Sequence, residues 1–223
     1  MTICLVTDRR RLGAAVGAGG PAGWAEGLER QVRAAAAAGV DLVQVREPDL
    51  DAAGLVALVK QLIAASAGTR ARIVVNDRLD VALAAGAAGV HLKERSFRPS
   101  DARLIVPTEF VIGCSIHSVG AAVERRDAQY LMAGTVLPTR SKPEGKLLGW
   151  EGLAAVVAAA GGTPVLAIGG IDLPSMRLVA SSGAAGLAAV GAFIPTAGQD
   201  IYEFVQKRVI DMRLGFDSAP AVS

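Results

Sequence analysis

Proton transfer near neutral pH needs a side chain that titrates there, and this 223-residue chain has two histidines, His91 and His117. His91 lies inside an apolar stretch, Gly89-Val90-His91-Leu92, where a core histidine with satisfied ring nitrogens is the plain expectation. His117 follows an apolar run and stands in a polar setting, Ser115-Ile116-His117-Ser118. It is the better candidate for general acid–base work; the alternative is a capping or supporting histidine at the next helix start. Gln44 and Arg46 sit two apart, so in a strand both point to one face. Burying an amide and a guanidinium together is costly without a ligand or a partner, and the partner alternative is an ion pair of Arg46 with Glu47 or another carboxylate. Asn76 and Asp77 close another apolar run, where they suit polar substrate atoms or Mg²⁺, or else cap a helix. Thr139-Arg140-Ser141-Lys142 sets two hydroxyls beside two cations, a pattern for an anionic ligand or for a solvated charged loop.

Backbone groups supply a second kind of anion site. Pro164 to Ile168 is an apolar run that ends on Gly169-Gly170, and Gly186 to Val190 is one that ends on Gly191. Without a Cβ, backbone N–H groups can close on a phosphate at Gly169, Gly170, Val190 and Gly191. Two ordinary strand-to-helix turns are the alternative.

These residues need elements to hold them. Apolar runs predict strands at 3–7, 42–46, 72–75, 89–92, 110–114, 129–134, 164–168 and 186–190. Between them, helical patterns cover 24–38, 51–66, 79–86, 99–106, 118–127, 150–159, 173–181 and 198–213, with Asp51, Ser100, Ser118 and Asp172 as caps. Eight alternating units predict a (β/α)₈ barrel, with residues 1–213 as a single domain and 214–223 as a disordered C-terminal tail. Such barrels carry their sites at the C-terminal strand ends, where every candidate above falls. Residues 13–23 are expected to be a mobile loop, and 135–149 a lid.

Hydrophobic residues make up 52% of the chain and aromatic ones 4%, so the core is built from Ala, Val, Leu and Ile. A net charge of +2 gives no electrostatic case for nucleic acid or an anionic membrane. No apolar run reaches the ~18 residues of a spanning helix, and the start reads as a strand, which together predict a cytoplasmic protein. Cys4 and Cys114 both fall in predicted strands and read as buried free thiols. The sequence leaves the oligomeric state open, a homo-oligomer included.

Seven of these segments in order resemble the thiamine phosphate synthase and thiazole tautomerase (TenI-type) family. They are Leu5-Val6-Thr7-Asp8, Gln44-x-Arg46-Glu47, Val75-Asn76-Asp77-Arg78, Gly89-Val90-His91-Leu92, Gly113-x-Ser115-x-His117-Ser118, Pro138-Thr139-x-Ser141-Lys142 and Ala167-Ile168-Gly169-Gly170-Ile171. The resemblance covers the chain from its first strand to about Phe193. It implies a (β/α)₈ barrel that binds a phosphorylated thiazole or thiamine molecule, by one of two chemistries.

Similar synthases join a pyrimidine pyrophosphate to a thiazole phosphate, with Mg²⁺, two acids and several cations on the leaving pyrophosphate. Asp77 would be one metal ligand; Ser96 stands where the second acid belongs, and Pro48 where a lysine is expected. Those departures favour the tautomerase branch, which uses neither metal nor cofactor. There His117 would carry the proton, and Gln44, Arg46, Asn76, Ser115, Thr139, Ser141 and Lys142 would hold the substrate, with Gly169, Gly170, Val190 and Gly191 on its phosphate. The alternatives are a Mg²⁺-dependent synthase and a non-catalytic thiamine-phosphate binder.

Overall fold

Short runs of Val, Ile, Leu and Ala pack as strands buried on both faces, which is what a parallel sheet under helices requires. A computed structural model describes residues 1–139 and 146–218. Its strands are β1 (Thr2–Val6), β2 (Leu42–Val45), β3 (Arg72–Asn76), β4 (Gly89–Leu92), β5 (Val111–Ile116), β6 (Tyr130–Ala133), β7 (Val165–Ile168) and β8 (Gly186–Ala189). They neighbour one another in chain order around a closed barrel. Pairing is parallel: Val6 lies opposite Gln44, Val45 opposite Val75, Ser115 opposite Met132 and Ile168 opposite Ala188. The architecture is the (β/α)₈ barrel expected from the alternating pattern.

The helices are α1 (Arg9–Val16), α2 (Gly20–Ala37), α3 (Ala52–Ala65), α4 (Leu79–Ala85), α5 (Pro99–Arg103), α6 (Val119–Glu124), α7 (Gly149–Ala159), α8 (Met176–Ser181) and α9 (Ile201–Asp217). Two of the expected caps act as such: Asp51 accepts from the Gly54 N–H, and Ser118 Oγ from the Ala121 N–H. The other two do not. Pro99 starts α5, with Asp101 accepting from the Arg98 N–H, and Asp172 accepts from Ser175 ahead of a helix that begins only at Met176.

The region expected to be a mobile loop, 13–23, is largely helical. Asp8 caps α1 by accepting from the Arg11 N–H at 3.0 Å, and α1 ends at Gly17, whose φ of +70° is left-handed. The tail also differs from expectation: α9 runs on to Asp217, four residues past the predicted end at 213. Gly215 there packs against Met176, and Arg177 bonds the Ser218 hydroxyl at 3.1 Å.

The chain packs as two compact units. One comprises Met1–Thr2, Val90–Ala188 and the chain from Met212, with Ile112, Leu131, Leu153 and Leu166 fully buried in it. The other comprises Ile3–Gly89 and Ala189–Asp211, with Ile3, Leu5, Leu28, Leu62 and Phe193 buried. Gln31 of α2 donates to the Phe193 carbonyl at 2.8 Å and ties the segment after β8 into this second unit.

Candidate active site

At the C-terminal ends of β1 and β2 a buried charge cluster forms. Glu47 accepts from the Thr7 hydroxyl at 2.7 Å, the Arg9 N–H at 3.0 Å and the Arg9 guanidinium at 2.9 Å. Arg9 also bridges to Asp49 at 2.7 Å, as does Arg10. Arg9 and Glu47 are only 5% and 4% exposed, so their charges must satisfy each other. Burial pushes the Glu47 carboxyl upward, against the opposing bonds from Thr7 and Arg9. The Arg9 guanidinium beside Asp49 holds that carboxyl below its ordinary range.

This cluster decides the state of Arg46. The sequence allowed an ion pair of Arg46 with Glu47, but Glu47 is taken by Arg9 and Thr7. Arg46 donates its backbone N–H to Thr7 Oγ1 at 3.0 Å, and its guanidinium is exposed with no partner among the described residues. Gln44, 3% exposed, donates to Asn76 Oδ1 at 3.1 Å, so these two predicted residues do meet. Asn76 therefore spends its carbonyl on Gln44, and α4 starts after Arg78 without a side-chain cap bond. Asp77 sits at φ +62°, the one left-handed non-glycine among the described residues.

In the other unit, β5 runs to Ile116, so Ser115 is an in-strand residue and His117 the first beyond the end. His117 donates its backbone N–H to Glu94 at 2.6 Å, and its ring Nδ1 bonds the Gly134 carbonyl. A carbonyl only accepts, so Nδ1 carries the hydrogen and Nε2 is the basic nitrogen, exposed and without a partner among the described residues. Helix α6 is capped by Ser118, which removes the capping alternative for His117. His91 is the core histidine expected: it is 0% exposed, with Nδ1 at 3.0 Å from Tyr130 Oη and Nε2 at 2.8 Å from Ser115 Oγ.

Each glycine turn has its own geometry. Gly169 and Gly170 have φ of +101° and +69° and lie against the segment after β6. A Cβ on Gly169 would lie 2.5 Å from Thr135 Cγ2, and one on Gly170 2.7 Å from the Pro138 carbonyl. The Val136 and Leu137 N–H groups bond the Ile168 and Gly169 carbonyls at 3.0 Å, which clamps this segment to the end of β7. In the other unit, Gly191 opens a short 3-10 turn, Gly191–Phe193, beneath the Arg11 guanidinium. Thr139 is half-buried; Ser141 and Lys142, and the centre of the predicted lid, lie outside the described residues.

Among the described residues no three His, Cys, Asp or Glu side chains group as a metal site. Both cysteines are buried free thiols, and burial pushes Cys4 up to about 12, so it is inert as a nucleophile. No helix of the described residues is long and apolar enough to cross a membrane. Sequence reasoning missed Arg9 and Asp49, which with Thr7 fix the Arg46 strand end, as well as Tyr130 and Glu94, and it gave Thr7 no role. Thr7 and Glu47 were visible in the motifs; their mutual contact depends on strand neighbours and was not.

An eight-stranded parallel barrel with polar side chains at the strand C-termini has the plan of the (β/α)₈-barrel enzymes. The chain belongs to the thiamine monophosphate synthase family, whose model matches residues 5–193. A thiamine-phosphate synthase of Methanospirillum hungatei is 38% identical over 158 residues, 70% of this chain and 77% of that protein. A putative thiamine-phosphate synthase of Geobacter sulfurreducens is 37% identical over 196 residues, 86% of each chain. The solved thiamine phosphate pyrophosphorylase of Pyrococcus furiosus superposes with a TM-score of 0.77 at 30% identity, covering 97% of this chain and 95% of that one.

Proposed function

We propose that the chain is a thiamine-phosphate synthase, coupling a hydroxymethylpyrimidine pyrophosphate to a thiazole phosphate with release of pyrophosphate. The relatives named for that activity support it over the tautomerase expected from the sequence. The observation that carries it is the Arg46 guanidinium, exposed and without a partner among the described residues, with Glu47 occupied by Arg9 and Thr7. A departing pyrophosphate gains charge as its bond breaks, and a pre-placed guanidinium stabilises that charge more than it stabilises the substrate. Gln44 and Asn76 hold each other's amides in place and offer their remaining donors to polar ligand atoms. Ser115, Thr139, Ser141 and Lys142 are assigned to anionic oxygens by the family resemblance. Gly169 and Gly170, and Val190 and Gly191, are assigned to phosphate by the backbone access of their glycine strand ends.

A synthase of this family implies Mg²⁺. The residues fit it in the mode where the substrate supplies most ligands: Asp77 would give the one carboxylate, and Ser96 adds no charge. When bound, the ion would neutralise charge on the leaving pyrophosphate.

A second reading, the thiazole tautomerase, has its own support in His117. Its Nδ1 is held by the Gly134 carbonyl, which leaves Nε2 as an oriented, exposed base. The test offers the purified protein both synthase substrates with Mg²⁺, and separately the unaromatised thiazole carboxylate phosphate without metal. Thiamine phosphate with equimolar pyrophosphate is the expected result, and Arg46→Ala should cut it more than His117→Asn does. Metal-free isomerisation without coupling, lost ~10²-fold in His117→Asn, would overturn the synthase in favour of the tautomerase.

A further inference from the structure

His91 belongs to no step above, yet it is the only fully buried histidine among the described residues and hydroxyls stand at both its ring nitrogens. The chain invests in this arrangement. Gly113 is the register partner of Tyr130, and a Cβ there would lie 2.1 Å from Tyr130 Cζ and 2.5 Å from its oxygen. Only glycine leaves room for the ring that brings the Tyr130 hydroxyl to His91. The two rings stack with centroids 5.5 Å apart at 30°. In its neutral form the His91 ring donates from one nitrogen and accepts at the other.

Two directions of hydrogen bonding are then open. If Nε2 accepts from Ser115, the serine proton is spent inward and only lone pairs face outward, where an anionic oxygen would be repelled. If Nε2–H donates to Ser115, the serine proton is free for the ligand, and Nδ1 must accept from Tyr130.

We infer that His91 is a positioning residue: held by Tyr130 as the Nε2–H tautomer, it turns the Ser115 hydroxyl outward as a donor to an anionic ligand oxygen. The inference rests on the reading of Ser115 as a substrate ligand. It concerns no proton transfer to substrate; His91 acts through Ser115.

Imidazole ¹⁵N shifts with thiamine monophosphate bound give a direct test, since His117→Asn leaves a single histidine to assign. The Nε2–H tautomer is expected, and the Nδ1–H tautomer would overturn the inference. Calorimetric binding of thiamine monophosphate supplies the second arm. Ser115→Ala and His91→Leu should each weaken binding about tenfold, the worth of a charge-assisted hydrogen bond. His91→Gln, which keeps a donor toward Ser115, should stay within about threefold of wild type. Combining His91→Leu with Ser115→Ala should cost nothing further; additive losses would overturn the relay while leaving Ser115 a ligand. Wild-type binding by Ser115→Ala would instead remove Ser115 from the site, and the inference with it. Should His91→Leu fail to fold, the wild-type spectrum and the glutamine variant decide.

Discussion

Glu47 accepts three hydrogen bonds in a setting almost closed to water, and among the described residues the Arg9 guanidinium has only Glu47 and Asp49 to answer its charge. Glu47→Ala would leave that guanidinium to Asp49 alone and the Arg9 N–H without its acceptor. The expected loss is about 3 kcal/mol of stability, read as a lower urea midpoint, with weakened activity because Thr7 would no longer be fixed under Arg46. A surface pair gives a pH prediction of the opposite weight. Arg78 beside Asp80 holds that carboxyl down, to about 2. A depressed acid contributes stability that is complete above its unfolded pKa and is lost as pH falls through the folded value. Asp80 therefore destabilises the fold only as pH drops from about 4 toward 2. In Arg78→Ala its carboxyl should move up toward the ordinary aspartate value of about 3.9, followed by NMR; an unmoved titration would contradict the assignment to Arg78.

At the scale of elements, the turn after β7 shows why its glycines cannot be tested by bulk alone. Gly169 combines φ of +101° with a missing Cβ that would sit 3.1 Å from the Thr135 Cα. Gly169→Val should therefore destabilise the fold by about 2 kcal/mol or more in thermal unfolding, before any effect on phosphate. An unchanged melting temperature would refute the packing argument. The sequence signalled glycine here as backbone access; the structure adds that the segment after β6 leans on it. The same contrast separates the helices. Asp51 and Ser118 were legible as caps because a cap is a local event. The α1 helix was missed because Gly13, Gly17, Gly19 and Gly20 read as a loop. Asp8 starts that helix, and the Trp24 ring packs where a Cβ on Gly13 would stand.

For the whole molecule, the barrel was legible because eight apolar runs recur at βα spacing, and each strand boundary came within two residues of the observed one. The site's location followed from that fold, since polar residues at strand ends stand out against Val, Ile and Leu. Its pairings did not follow. Glu47 neighbours Arg46 in sequence yet bonds Thr7 and Arg9, 40 and 38 residues away, because β1 and β2 lie side by side. Likewise Ser115 meets His91 across 24 residues. The choice between the two chemistries was the least legible part. Ser96 and Pro48 spoke for the tautomerase, while relatives matched over most of the chain carry the synthase name.

Asp77 carries a consequence for how this chain is kept. A side chain at φ +62° costs about 1 kcal/mol that glycine would not incur. Asp77→Gly should raise the melting temperature by roughly 2–4 °C while abolishing any activity that needs the carboxylate. A library screened for thermal survival alone would thus drift to glycine at 77, and one screened for turnover would hold aspartate. If both screens keep aspartate, its worth lies in folding; if neither does, the carboxylate has no task.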